Sequence, residues 1–181
     1  MNSILRKHNS TTMTTINIIL IITATTTALI AGLFYAYSCS VNSGLGRLSD
    51  AGYIAAMQSI NKAILNPLFF FSFMGTAILL PVSSFLHYDS TLSHRFLFLL
   101  TATLIYLIGG LGVTMFGNVP LNEALDDFNL LSASEEAIAA QRAKFEDRWN
   151  NLNTIRTISS TLSIILVIIA CLASHKPALS E

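Results

Sequence analysis

The sequence predicts an all-α membrane protein, a four-transmembrane-helix bundle with amphipathic helices in its first and third connections capping one face. Three observations lead there. Of 181 residues, 52% are hydrophobic and only 11% are charged, against about 25% charged in soluble domains. Four stretches, at 16–37, 67–86, 96–116 and 155–173, reach the length of about 20 mainly apolar residues that a spanning helix needs. The segments between the first and second, and between the third and fourth, carry helical apolar stripes instead of loop composition. Ten basic and ten acidic residues cancel, so no global field draws the chain to nucleic acid, which is excluded as a partner.

The chain divides into a polar, threonine-rich head at 1–15, expected to be disordered, one membrane domain at 16–173 and a short tail at 174–181. Arg6, Lys7 and His8 before the first span resemble the start of a secretory leader. The apolar run is too long for one, and it runs straight into the polar Ser38-Cys39-Ser40. A lipoprotein site at Ala36-Tyr37-Ser38-Cys39 is disfavoured by the bulk of Tyr37, so the first span is read as retained. Its end and the end of the fourth lie on opposite sides of the bilayer, which separates Cys39 from Cys171 and rules out a disulfide between them.

The first connection, 41–66, has a Ser49-Asp50 start and a stripe of Tyr53, Met57, Ile60 and Ile64, the signature of an amphipathic helix. Asn66-Pro67 then ends that helix, kinks it or starts the next. The second connection, 87–95, is short and makes an antiparallel hairpin. The third, 117–154, holds seven of the ten acidic residues and opens on the turn-like Gly117-Asn118-Val119-Pro120. From Ser134 onward no Gly or Pro intervenes before the fourth span, so one helix of roughly 60 Å is expected, longer than the hydrocarbon core of about 30 Å. Gly32, Gly75, Gly109, Gly110 and Gly112 are expected to permit close helix approach. Phe69, Phe70, Phe71, Phe73 and Met74 read as lipid-facing or core residues before a pocket lining.

Basic residues do not clearly orient the chain. With both termini in the cytoplasm of a cell membrane, the inner side has Arg6, Lys7, Arg95 and Lys176, and the outer loops have more. That orientation is nevertheless expected, because it places the two longer, folded connections on one outer face.

Arg142, Glu146, Trp149, Asn153 and Arg156 follow spacings of 4, 3, 4 and 3 and share one helical face, which Ser160 and Ser163 continue inward. A guanidinium cannot shed its charge at accessible pH, and near a bilayer it needs pairing, hydration or an interfacial escape. Arg156 is therefore expected to bond the turn 118–122 or Glu123. For single residues the simpler account is structural: Arg142 and Glu146 as an i, i+4 pair, Trp149 in the aromatic belt, and Asn42 and Asn118 shaping turns. Arg47, Asn61, Asn122 and Glu123 gather at the same end, so a polar-ended pocket between helices is expected there.

Residue blocks then point to a family. Phe34-Tyr35-Ala36-Tyr37-Ser38 running into Gly44-Leu45, Met57-Gln58-Ser59-Ile60-Asn61 with Asn66-Pro67, Asn118-Val119-Pro120-Leu121-Asn122, and Trp149-Asn150-x-x-Asn153-x-x-Arg156-Thr157 together resemble the anthrone oxygenase-like multi-pass membrane proteins. Ser43 departs from the proline common in that block, which implies a softer turn. The resemblance implies a four-helix bundle and, for some relatives, oxidation of anthrones to anthraquinones.

That chemistry needs an apolar pocket, donors for an enolate oxygen and a base, with no metal, flavin or other cofactor. On this reading the catalytic candidates are Arg156, Asn153 and Asn118 as donors and Glu146 and Glu123 as bases, each base requiring burial to raise its pKa. Trp149, Asn122, Asn42, Asn61 and Tyr35 are the substrate-binding candidates. His8, His87, His94 and His175 fall outside the matching blocks and at the opposite face. The implied partners are membrane lipid and an apolar phenolic or anthrone-like substrate. The alternative is a non-enzymatic membrane binding or scaffold protein, in which the same residues pair off among themselves. A transporter ranks third, since four spans without repeats offer little pathway.

Overall fold

A computed structural model describes residues 14–88 and 92–173; the head at 1–13 and the tail at 174–181, for which expectations were given above, lie outside the described residues. Four helices are long and apolar enough to cross a membrane. The first begins as α1 (Thr15–Ala36), passes through a π-helical turn at Tyr37–Val41 and ends in α2 (Asn42–Leu45). Helix α3 (Asp50–Ala63) follows, opened by Ser49, whose Oγ accepts from the Gly52 N–H. Asn66-Pro67 starts the second span, α4 (Pro67–Leu86): Asn66 Oδ1 accepts from the N–H groups of Leu68 and Phe69 at 3.0 and 3.1 Å, and Pro67 occupies the first turn, where its missing donor costs nothing.

The third span differs most from expectation. Helix α5 (His94–Ile105) continues through π-helical segments at Tyr106–Gly112 and Thr114–Asn118 into α6 (Val119–Asp126). Gly117-Asn118-Val119-Pro120 is thus not a turn, and Asn118 is helical at φ −69°, ψ −40°. Proline normally breaks a helix because its ring meets the carbonyl one turn back and its nitrogen has no hydrogen. The wider π turn just before it relieves that conflict. Ser134 then caps α7 (Glu135–Leu172), an unbroken helix of 38 residues, about 57 Å long at 1.5 Å per residue.

The spans pack antiparallel. At one face Thr23 and Ser83 hydroxyls meet at 2.7 Å, and Arg95 donates to the carbonyls of Ala170 and Ala173. Helix α1 therefore starts, and α7 ends, on the same side. Between the spans Ile30, Phe34, Phe73, Leu80, Leu99, Tyr106 and Val167 form the core, with the Tyr106 hydroxyl donating to the Phe73 carbonyl. Phe73 and Phe69 stack within it, whereas Phe70, Phe71 and Met74 are exposed to the lipid side.

Of the glycines expected at close approaches, Gly109 fits: a Cβ there would lie 2.6 Å from Ser159 Cβ on α7. Gly32, Gly75, Gly110 and Gly112 do not bring another helix unusually near. The second close approach is at Gly117, where a Cβ would meet Leu152 Cδ1 at 2.9 Å. The correction has a simple cause, because glycine spacing along a sequence does not say which face meets a neighbour.

At the opposite face the two connections close over the bundle as a cap. Tyr53, Ile54 and Met57 of α3 pack on Leu125 of α6 and on Phe145 and Trp149 of α7. Gln58 Nε2 donates to the carbonyls of Leu125 and Phe128, and Lys62 pairs with Asp126 at 2.8 Å. Arg142 ties the cap to α7. It donates to the carbonyls of Leu48 and Gly46, to Asp50 Oδ1 at 2.9 Å and to Glu146 Oε2 at 2.7 Å, and its guanidinium lies 4.7 Å from the Tyr53 ring. Burial, reinforced by the Glu146 carboxylate, pushes the Tyr53 hydroxyl well above its usual range, so the ring under Arg142 stays neutral.

Candidate functional site

Beneath the cap α1, the third span and α7 enclose a buried polar cluster. The inward stripe on α7 supplies Trp149, Asn153, Arg156, Thr157, Ser160 and Ser163, all buried. Opposite them stand Phe34 and Ser38 of the first span. A chain of donors fixes the direction of each group. Asn153 Nδ2 donates to Ser38 Oγ at 2.9 Å; the Ser38 and Thr157 hydroxyls are 2.8 Å apart; and Thr157 Oγ1 donates to the carbonyls of Phe34 and Asn153 at 2.9 Å. With the Thr157 hydrogen committed to a carbonyl, Ser38 donates to Thr157. Asn153 is thereby turned so that Oδ1 faces Arg156, whose Nη2 donates to it at 2.9 Å.

Arg156 is 6% exposed. Its guanidinium carbon lies 4.4 Å from the centre of the Phe34 ring and 5.2 Å from that of Trp149. Trp149 in turn contacts Tyr37, with ring centres 5.4 Å apart, and its Nε1 donates to Asn122 Oδ1 at 2.8 Å. Among the described residues no carboxylate pairs with Arg156, and the buried Nε has no partner. Its expected bond to the segment 118–122 or to Glu123 is therefore corrected to Asn153 and two aromatic faces. Ring faces suit a desolvated guanidinium, but they leave its net charge uncompensated.

Asn118 is 1% exposed, and neither its Nδ2 nor its Oδ1 has a partner. The helix register places it. Position 109 lies against 159, 117 against 152 and 122 against 149, so Asn118 stands across from the turn of α7 that carries Asn153. Ser160 Oγ, one turn deeper than Arg156, is buried and unpartnered as well. Unpaired buried donors are rare in native structures, and each calls for an explanation.

The remaining candidates lie elsewhere. Tyr35 is 60% exposed and does not join the cluster, Asn42 is half-buried beside the cap, and Asn61 is a cap residue whose buried Nδ2 has no partner. Glu123 is exposed, and Glu146 is held by Arg142. Neither carboxylate meets the burial that its role as a base required. Phe34, Tyr37, Ser38 and Thr157 were not among the site candidates, although all four fall inside the sequence blocks quoted above; the i, i+4 spacing of Phe34 and Ser38 was the signal available. Among the described residues no group of three His, Cys, Asp or Glu could hold a metal ion.

A family model described as anthrone oxygenase matches residues 68–166. The chain belongs to that family. The match takes in α4, α5, α6 and α7 as far as Leu166, and so includes Asn118, Asn122, Trp149, Asn153 and Arg156; Phe34 and Ser38 lie before it. No curated protein and no solved structure matches the chain. Within this member of the anthrone oxygenase family, the cluster offers cationic and amide donors in apolar, aromatic surroundings.

Proposed function

We propose that the chain is a cofactor-independent membrane oxygenase of an apolar phenolic or anthrone-like substrate, with Arg156 and Asn118 as donors to the enolate oxygen. The observation that carries this reading is Arg156 itself: a buried guanidinium that pairs with no carboxylate among the described residues, on the helix face where Asn153 and, across from it, the unpartnered Asn118 stand. A site left cationic and short of acceptors is complementary to an oxyanion, and it favours the ionised substrate over the neutral ketone. Loss of the methylene proton, taken up by water at the cap, gives an electron-rich enolate. Dioxygen then oxidises that carbon: CH2 plus O2 becomes C=O plus H2O, one oxygen atom going to carbon and the other leaving with both hydrogens. Asn153 orients Arg156, and Trp149 supplies a flat face.

The test is turnover of anthrone in air by the purified protein in detergent micelles, followed by the absorbance of anthraquinone. Turnover above the protein-free rate is expected; none would overturn the reading. A second reading, a non-enzymatic binding or scaffold protein, draws support from the internal pairing of Trp149 with Asn122 and of Asn153 with Ser38. On that reading substitutions in the cluster change stability alone.

We further infer a cell membrane location with both termini cytoplasmic and the cap on the outer face. In a background with Cys39 and Cys171 replaced by Ser, cysteines at Ser10 and at Ser180 should both be shielded from an impermeant maleimide in intact cells. Labelling of either without lysis would reverse the orientation.

A further inference from the structure

On the outer side of α7, away from Arg156, an open groove of about 620 Å³ runs between α7 and the end of the third span. Phe116, Leu121, Leu152 and Ile155 give it an apolar floor, and Lys144 and Arg148 stand at its upper end. The two cations are four residues apart on one helical face. Both are exposed, and among the described residues neither forms an ion pair or hydrogen bond. Phe116, 89% exposed, marks the end of the groove that opens to lipid. Leu152 sits at the close approach to Gly117, which makes the floor continuous between the helices.

Along α7, Arg148 stands near the level of a bilayer's polar zone, with Lys144 one turn farther out. Arg148 lies seven residues before Ile155, about 10 Å along the axis, and the polar zone adds roughly 5–8 Å to each side of the hydrocarbon core. Arginine and lysine side chains reach along their stems to place the charge at phosphate depth. Apolar surface below and two unpaired cations above are complementary to an acyl chain below a phosphate.

We propose that this groove binds one anionic phospholipid molecule, its phosphate between Lys144 and Arg148 and an acyl chain along Leu152 and Ile155 toward Phe116. The site is independent of the buried cluster and of any turnover there.

The experiment uses the full chain in dodecyl maltoside micelles, titrated with fluorescently labelled palmitoyl-oleoyl phosphatidylglycerol and competed with unlabelled lipids. Unlabelled phosphatidylglycerol should compete and phosphatidylcholine should not. With about 1 kcal/mol for each basic residue near an anionic headgroup, Lys144→Gln/Arg148→Gln should weaken binding roughly 30-fold. Ala124→Trp, an exposed change that fills the groove and keeps both charges, should weaken it too, whereas Arg47→Gln outside the groove should not. Equal competition by phosphatidylcholine would overturn the proposal, as would a double variant that binds like the parent. Competition by glycerophosphoglycerol as strong as that of the whole lipid would also overturn it, since the site would then hold a free anion and not a lipid.

Discussion

Arg156→Met should leave the protein folded in detergent, with its stability unchanged or raised by about 1–2 kcal/mol, and should lower anthrone turnover by about 10²–10³-fold. The opposite signs follow from the surroundings of the side chain. A guanidinium that is 6% exposed, with Asn153 Oδ1 as its acceptor and no carboxylate among the described residues, has lost most of its hydration without full compensation. An apolar chain of similar length keeps the contacts with Phe34 and Trp149 and removes that desolvation cost, which offsets the loss of the bond to Asn153 Oδ1. A residue whose loss stabilises the fold while abolishing activity is held for function. Arg156→Lys should also be impaired, by about tenfold or more, because a compact ammonium neither stacks on two rings nor presents a planar fork of donors. Paired measurements of thermal midpoint and turnover decide the matter. A clear drop in midpoint with no catalytic change would assign Arg156 to the scaffold reading.

Arg142→Ala should be the most destabilising single change in the cap, at about 2–3 kcal/mol, since hydrogen bonds to charged groups contribute about 1.5–3 kcal/mol where they are partly buried. One side chain here joins the carbonyls of Gly46 and Leu48, the carboxylates of Asp50 and Glu146, and the face of Tyr53. Losing it frees the segment before α3 and leaves Glu146 half-buried without its cation. Amide hydrogen exchange should rise in Asp50–Ala63 and remain low in the core around Leu99 and Val167. Arg142→Lys should recover part of the loss, because a point charge can meet either carboxylate but not both carbonyls. Uniform exchange throughout the chain in Arg142→Ala would show that the cap is not an independently opening unit.

Most of the fold was legible because a bilayer leaves little choice: an apolar run of sufficient length must satisfy its backbone internally, and a helix does so. Ser49 and Ser134 also announced their helix starts through side chains that accept from the first turn, whereas Asn66-Pro67 left an end, a kink and a start equally open. The third span was harder. Gly117-Asn118-Val119-Pro120 has turn composition, and only the preceding π-helical turn lets the chain continue. No periodicity argument anticipates that, because a π turn follows from a locally widened hydrogen-bond pattern. The site was legible as a stripe and not as a set of partners. Spacing placed Trp149, Asn153 and Arg156 on one face, but it does not name partners, and the expected carboxylate is replaced by a neutral amide and two ring faces. In the run Phe34-Tyr35-Ala36-Tyr37-Ser38 the candidate was Tyr35. Rotation about the helix axis instead turned Phe34 inward and left Tyr35 exposed.

The unbroken length of α7 links the cap to the thickness of the surrounding bilayer. A spanning helix too long or too short for its membrane usually adjusts by tilting, at a cost of fractions of a kcal/mol per Å of hydrophobic mismatch. Here the same rigid rod carries Phe145 and Trp149 into the cap and Asn153 and Arg156 into the bundle. Any tilt of its lower half is transmitted to its upper half, against α3 and α6. The Trp149–Asn122 bond joins α7 to the third span between those two halves. Acyl-chain length and sterol content thereby become variables of the site's geometry, with no ligand, phosphorylation or change of pH involved.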